Sequence, residues 1–178
     1  GRIPAHIEQN LAWCERECQS LGFETTVLVS DGVKHLLAER TFNPSAPTVL
    51  VYLQIDGQPV DSSEWSQASP YLAVLKECKK ADCQEIAWSK LQQNWDPNWK
   101  LFARSAADSK GPAIAFLHSL KILQREKIQP AYNIKVIMDF QEELGSPSLP
   151  ALVEAKRDQF SAKVMLIMDG TRPPGNVS

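Results

Sequence analysis

The eight residues Thr48–Ile55, TVLVYLQI, constrain this chain more than any other stretch. A nearly continuous apolar run of that length, rich in β-branched and aromatic residues, is the signature of a strand buried on both faces. It delivers Asp56 at its C-terminal end. Two more apolar runs end the same way, Ile134–Met138 at Asp139 and Val164–Met168 at Asp169. Helical segments lie between and around them. Pro4–Leu21 places Ile7, Leu11, Cys14, Cys18 and Leu21 on one helical stripe, and Gly22 is positioned to end it. Gly111–Glu126 reads as a largely apolar helix with Pro112 in its first turn. Ser148 is expected to cap a short helix running to Asp158, with Pro150 in its first turn. Phe23–Ser30 and Val33–Thr41 read as two strands of a hairpin turning at Asp31-Gly32. Strands alternating with helices argue an α/β layered fold with a largely parallel sheet.

Asp61–Lys100 is the least regular part. Leu72–Lys79 and Cys83–Gln93 read as short helices, and Asp96-Pro97-Asn98 as a turn. Trp65, Trp88, Trp95 and Trp99 cluster here, which points to a satellite core under a long loop, with a ligand platform as the alternative. The chain has 178 residues, enough for one domain with a real core. Its net charge of −2 leaves no electrostatic footprint for nucleic acid or an anionic membrane. No apolar run approaches a membrane span, and the first ten residues carry no secretory h-region. Cys14, Cys18, Cys78 and Cys83 match no common zinc-finger spacing. They are expected to be reduced thiols of a cytoplasmic protein, a Cys78–Cys83 disulfide being the alternative.

Candidate chemistry lies in the acidic residues. Such a sheet binds ligands outside the carboxyl ends of its strands, where Asp56, Glu142, Glu143 and Asp169 all fall. Asp108 sits among small residues in LFARSAADSKGP, just before the Gly111 helix, either as a ligand or as a helix cap. Carboxylates gathered in one crevice repel one another unless something compensates them. Two divalent cations would do so, one carboxylate bridging them and another taking a proton from the water between. The bland alternative makes Asp56 a turn residue, Glu142 and Glu143 a solvated helix start and Asp169 a cap.

VLVYLQIDGQPVDSSEW, LFARSAADSKGP, DFQEELGSPSL and LVEAKRDQFSAKVMLIMDG resemble, in order, successive motifs of the aminoacylase/carboxypeptidase-G/carnosinase family of di-zinc metallopeptidases. Similarity is greatest to the carnosinase-like, cytosolic non-specific dipeptidase branch and runs from about Pro47 to Gly170. The resemblance implies a three-layer, zinc-peptidase-like sandwich with a largely parallel or mixed sheet, incomplete in this chain. Residues 1–170 would be a partial catalytic domain and 171–178 a linker toward a lid domain that the chain lacks. It further implies that Asp108 bridges two metals, Glu143 and Asp169 each bind one of them, and Glu142 is the general base. Asp56 matches an aspartate that orients a metal-binding histidine two residues before it, and that histidine position holds Gln54. A Gln amide oxygen is a poor substitute for imidazole on zinc. The glycines of the family's Gly-Arg-Gly motif are Ala103 and Ser105 around Arg104. A second histidine ligand has no counterpart, since His6, His35 and His118 match no ligand position.

The implied activity is metal-dependent hydrolysis of an amide in a dipeptide or N-acyl amino acid, with zinc or manganese as cofactor, held weakly or not at all here. The alternative is a catalytically impaired relative acting as an interaction domain. Small peptides are the expected partners, with neither nucleic acid nor membrane, and self-association is expected from any uncovered sheet edge.

Overall fold

A computed structural model describes residues 4–80 and 82–170. The linker expected at 171–178 lies outside the described residues. Helix α1 (Pro4–Ser20) ends in a Schellman turn: Gly22 sits at φ +77°, its N–H donates to Gln19 O, and Phe23 N–H donates to Cys18 O. Strands β1 (Glu24–Ser30) and β2 (Val33–Arg40) form the expected hairpin, with Asp31 and Gly32 both at positive φ as a type I′ turn requires. The apolar run becomes β3 (Thr48–Gln54).

The next forty residues keep the expected turn at Asp96-Pro97-Asn98 but overturn the helices. Leu72–Lys79 and Cys83–Gln93 are not helices. They supply β4 (Val74–Lys79), β5 (Asp82–Ile86) and a 3-10 turn at Trp88–Gln92. With β6 (Trp99–Phe102) these strands make a separate antiparallel sheet in the order β5-β4-β6. Cys78 and Cys83 face each other across the β4–β5 pair and are joined by a disulfide, so the expectation of four reduced thiols fails at this pair. Lys76 is what hid the strand. It occupies a buried position, satisfied by Ser66 Oγ at 3.0 Å and by the Phe102 ring. The tryptophans form no satellite core. Trp95 is 71% exposed, Trp88 is exposed, and Trp65 and Trp99 are half-buried.

The chain then enters α2 (Gly111–Arg125), β7 (Asn133–Asp139), α3 (Leu149–Ala155) and β8 (Val164–Ile167). The main sheet is mixed, in the order β1-β2-β7-β3-β8. Strand β3 runs parallel to β7 and β8, and β2 runs antiparallel to β7 and β1. Strand periodicity divides its side chains between two cores. Leu36, Ala38, Val51, Leu53, Val136 and Met138 pack under α1 and α2, while Leu37, Leu50, Tyr52 and Ile137 pack toward Leu152 of α3 and Phe160. That gives the three-layer α/β sandwich. Cys14 and Cys18 are buried in the first core as free thiols, and burial pushes each up to about 12. Ser148 sits at the N-cap of α3 as expected, but its hydroxyl makes no capping bond and meets His35 instead, and the helix ends at Ala155, short of Asp158. The edge strand β8 is the outlier among the apolar runs, with Val164, Met165, Leu166 and Ile167 all 46–56% exposed. No helix among the described residues is long and apolar enough to cross a membrane.

Candidate functional site

The parallel register places the acids. Gln54 pairs with Asp139, and Tyr52 pairs with both Ile137 and Ile167. Strands β3, β7 and β8 therefore leave the sheet at the same end. Asp56 follows β3 by two residues and Asp169 follows β8 by two. Glu142 and Glu143 lie in a 3-10 turn just beyond β7.

Asp108 arrives from the other sheet. After β6 the chain is held by Arg104, whose N–H donates to Pro70 O at 2.7 Å and whose Nη2 donates to Pro59 O at 3.3 Å. Ser105 takes a left-handed conformation, φ 64°, which explains why a glycine suits that position. The turn Ala106–Lys110 then lies against the end of β3. Ser109 Oγ donates to Gln54 O at 3.2 Å, and a Cβ on Gly57 would stand 1.8 Å from Ser105 Oγ. The Asp108–Ser109 peptide is cis. No side chain caps α2, so the capping alternative for Asp108 does not hold.

The acids converge on Glu142. Its carboxyl is held above the usual carboxylate range, first by burial and then by the negative charges of Glu143, Asp169, Asp56 and Asp108, in that order. Asp56 accepts N–H bonds from Glu142 at 3.2 Å and Glu143 at 3.3 Å, which fixes the turn carrying both glutamates. Gln54 is 3% exposed; its Nε2 donates to Asp169 Oδ2 at 3.1 Å, and its buried Oε1 has no hydrogen-bond partner. Gln58, unnoticed in the sequence, donates from Nε2 to Glu143 Oε2 at 2.6 Å.

Zinc does not fit this arrangement. Among the described residues no three His, Cys, Asp or Glu side chains are grouped to hold a metal ion. The nearby donors are all oxygens, and Gln54 turns its amide N–H, not an acceptor, toward Asp169. Zinc sites are built from imidazole and thiolate with carboxylate support. His6 and His118 are exposed, and His35 lies inside the sandwich. A cleft of about 190 Å³ between Arg40, Phe42 and the C-terminal half of α2 includes no acidic residue and has no part in this site.

Beneath the turn lies a buried polar group that sequence reading missed. Asp139 is fully buried; its Oδ2 accepts hydrogen bonds from Tyr52 Oη at 3.0 Å and Ser146 Oγ at 2.5 Å, and its Oδ1 accepts from Gln141 N–H at 2.9 Å. His35 Nδ1 is 3.4 Å from Asp139 Oδ1, and Nε2 is 2.9 Å from Ser148 Oγ. The available signal was an acid at the end of an apolar strand, which needs donors if buried. Burial pulls His35 below its ordinary value and outweighs the opposing pull of Asp139. A histidine buried neutral must take up a proton when the chain unfolds in acid. The unfolded chain then binds more protons below the ordinary pKa of about 6.5, so stability rises with pH up to that value and falls as pH drops beneath it. The melting temperature should decline from about pH 6.5 downward, and less steeply in His35→Gln. A flat profile in the native chain would contradict this.

The three-layer α/β fold, with acidic residues beyond one end of its sheet, matches part of a peptidase catalytic domain. The chain belongs to peptidase family M20/M25/M40, whose model matches residues 82–178. It is 31% identical over 133 residues to human (Homo sapiens) Beta-Ala-His dipeptidase, covering 75% of this chain and 22% of that protein. It is 28% identical to Cysteinylglycine-S-conjugate dipeptidase of Corynebacterium striatum, covering 99% of this chain and 34% of that protein. The crystal structure of human carnosine dipeptidase 1 matches with a TM-score of 0.73 and 25% identity, over 94% of this chain and 34% of that one. A family metallo-carboxypeptidase from Sulfolobus solfataricus shares the fold at TM-score 0.71, with 24% identity over 94% of this chain and 33% of its own. The chain thus spans about a fifth to a third of the length of these relatives.

Proposed function

We propose that this chain supplies the carboxylate half of an amide-hydrolysing centre that acts on dipeptides or N-acyl amino acids. The placement of Asp56 against the Glu142–Glu143 turn, of Asp169 against Gln54 and of the Asp108 turn against the end of β3 carries this reading. In it Glu142 accepts the proton of the attacking water. Its raised affinity for protons suits that task, because a general base works best with a pKa near the working pH. Asp56 holds the turn that carries Glu142 through the two backbone N–H groups. Relatives that act on dipeptides support the substrate class. Asp108, Glu143 and Asp169 are the metal-facing acids of the family pattern. The described residues do not form a zinc site by themselves.

The Gln54–Asp169 hydrogen bond favours a second reading, a relative impaired in catalysis and kept as an interaction domain. Hydrolysis of a panel of dipeptides and N-acyl amino acids by the longest natural form of the protein, with zinc or manganese added, separates the two. Turnover supports the first reading, and none across the panel supports the second.

A further inference from the structure

We infer that Asp139 is a positioning residue: with Tyr52 and Ser146 it forms a clamp that sets the turn bearing Glu142 and Glu143. The inference takes its functional meaning from the role proposed for Glu142. The geometry is that of a staple. Gln141 opens the turn and donates its N–H to one oxygen of Asp139, while Ser146 closes it and donates its hydroxyl to the other. The four residues between are thereby tied at both ends to one carboxylate. Within the turn, Leu144 and Ser146 donate N–H to Gln141 O, and Gly145 donates to Glu142 O.

The carboxylate itself is anchored from the sheet. Tyr52 on β3 lies diagonally across from Asp139 on β7 and donates its phenol to Oδ2. Burial pushes that phenol well up, so it stays a donor. His35, from β2, meets Ser148 at the start of α3 through Nε2, while its Nδ1 lies 3.4 Å from Asp139 Oδ1 without a hydrogen bond. A fully buried carboxylate is costly unless donors surround it. Here the donors come from the turn and from the sheet strand beside it, so the group that satisfies Asp139 also joins the two. Asp56 then holds the same turn from outside, through Glu142 and Glu143 N–H.

Ser148, His35 and Asp139 also have the order of contacts found in a nucleophilic triad. Their burial rules that role out, since Ser148 is 2% exposed and His35 and Asp139 are not exposed at all, and no substrate reaches the hydroxyl.

Amide hydrogen exchange on the full chain tests the clamp. In Ser146→Ala and in Tyr52→Phe, each lacking a single hydroxyl, exchange at the 142–146 amides should rise about tenfold, the scale of one lost hydrogen bond. Amides of β1 serve as the control and should stay within about twofold. Where the native protein turns over substrate, kcat should fall in both variants with KM unchanged. Asp139→Asn should act in the same direction, and if it fails to fold the two hydroxyl variants decide alone. Exchange that is unchanged in the turn, or raised equally throughout the sheet, overturns the clamp. Lack of turnover by the native chain would remove the role proposed for Glu142 and leave the exchange result standing.

Discussion

Replacing Glu142 with glutamine should lower turnover by about 10²- to 10⁴-fold while leaving KM nearly unchanged, the range ascribed to a positioned general base. The amide keeps the shape of the side chain and loses the ability to accept a proton. Burial and four neighbouring acids hold the native carboxyl above the usual carboxylate range. The acid limb of the rate profile should accordingly lie above that range too. Activity rises with pH as Glu142 loses its proton, and the limb should vanish in Glu142→Gln. Steady-state rates between about pH 4 and 8, which bracket the ordinary carboxylate value, provide the measurement. Turnover indifferent to the substitution would remove Glu142 from the reaction.

Gln54→His should tighten zinc binding by at least about tenfold, the lower end of what a supporting contact contributes to metal affinity. The side chain at position 54 is buried at the end of β3, with its terminal nitrogen 3.1 Å from Asp169 Oδ2. An imidazole there would bring a nitrogen donor beside a carboxylate, the combination zinc prefers. It would also remove the amide N–H that now satisfies Asp169. Calorimetric titration, or competition with a chromogenic chelator, reads the change. Equal affinities in both proteins would show that position 54 does not face the metal-binding region. Tight binding of two zinc ions by the native chain would instead show that the carboxylates suffice, against the impaired reading.

Legibility in the sequence followed hydrophobic periodicity. Helix α1 and strand β3 bury a stripe or both faces, and Asp31-Gly32 permits few alternatives, so each was readable locally. Strand β4 was not. Its buried Lys76 breaks the apolar alternation, and only Ser66 and Phe102, ten and twenty-six residues away, make that burial tolerable. The Val164–Met168 run is a strand as read, but its place at the sheet edge was not visible in its apolar composition. The candidate acids Asp56, Asp108, Glu142, Glu143 and Asp169 were singled out through ordered motifs. Gln58 and the Asp139 group were not, because their roles arise from partners more than eighty residues apart, as with Gln58 and Glu143 or Tyr52 and Asp139.

The shared exit of β3, β7 and β8 has one more consequence. Gln54 and Asp139 are register partners, spaced by the pitch between hydrogen-bonded strands, about 4.8 Å, and Asp169 follows two residues after the Tyr52–Ile167 pair, so its place is set chiefly by the ladder rather than by the connecting loops. Loop length can therefore drift without changing the distances among these groups. A single residue gained or lost inside Val164–Ile167 is another matter, because it would shift the ladder by one rung and turn Asp169 to the opposite side of the sheet. Evolutionary insertions compatible with this pocket belong in the turns, and the strand interiors must keep their length.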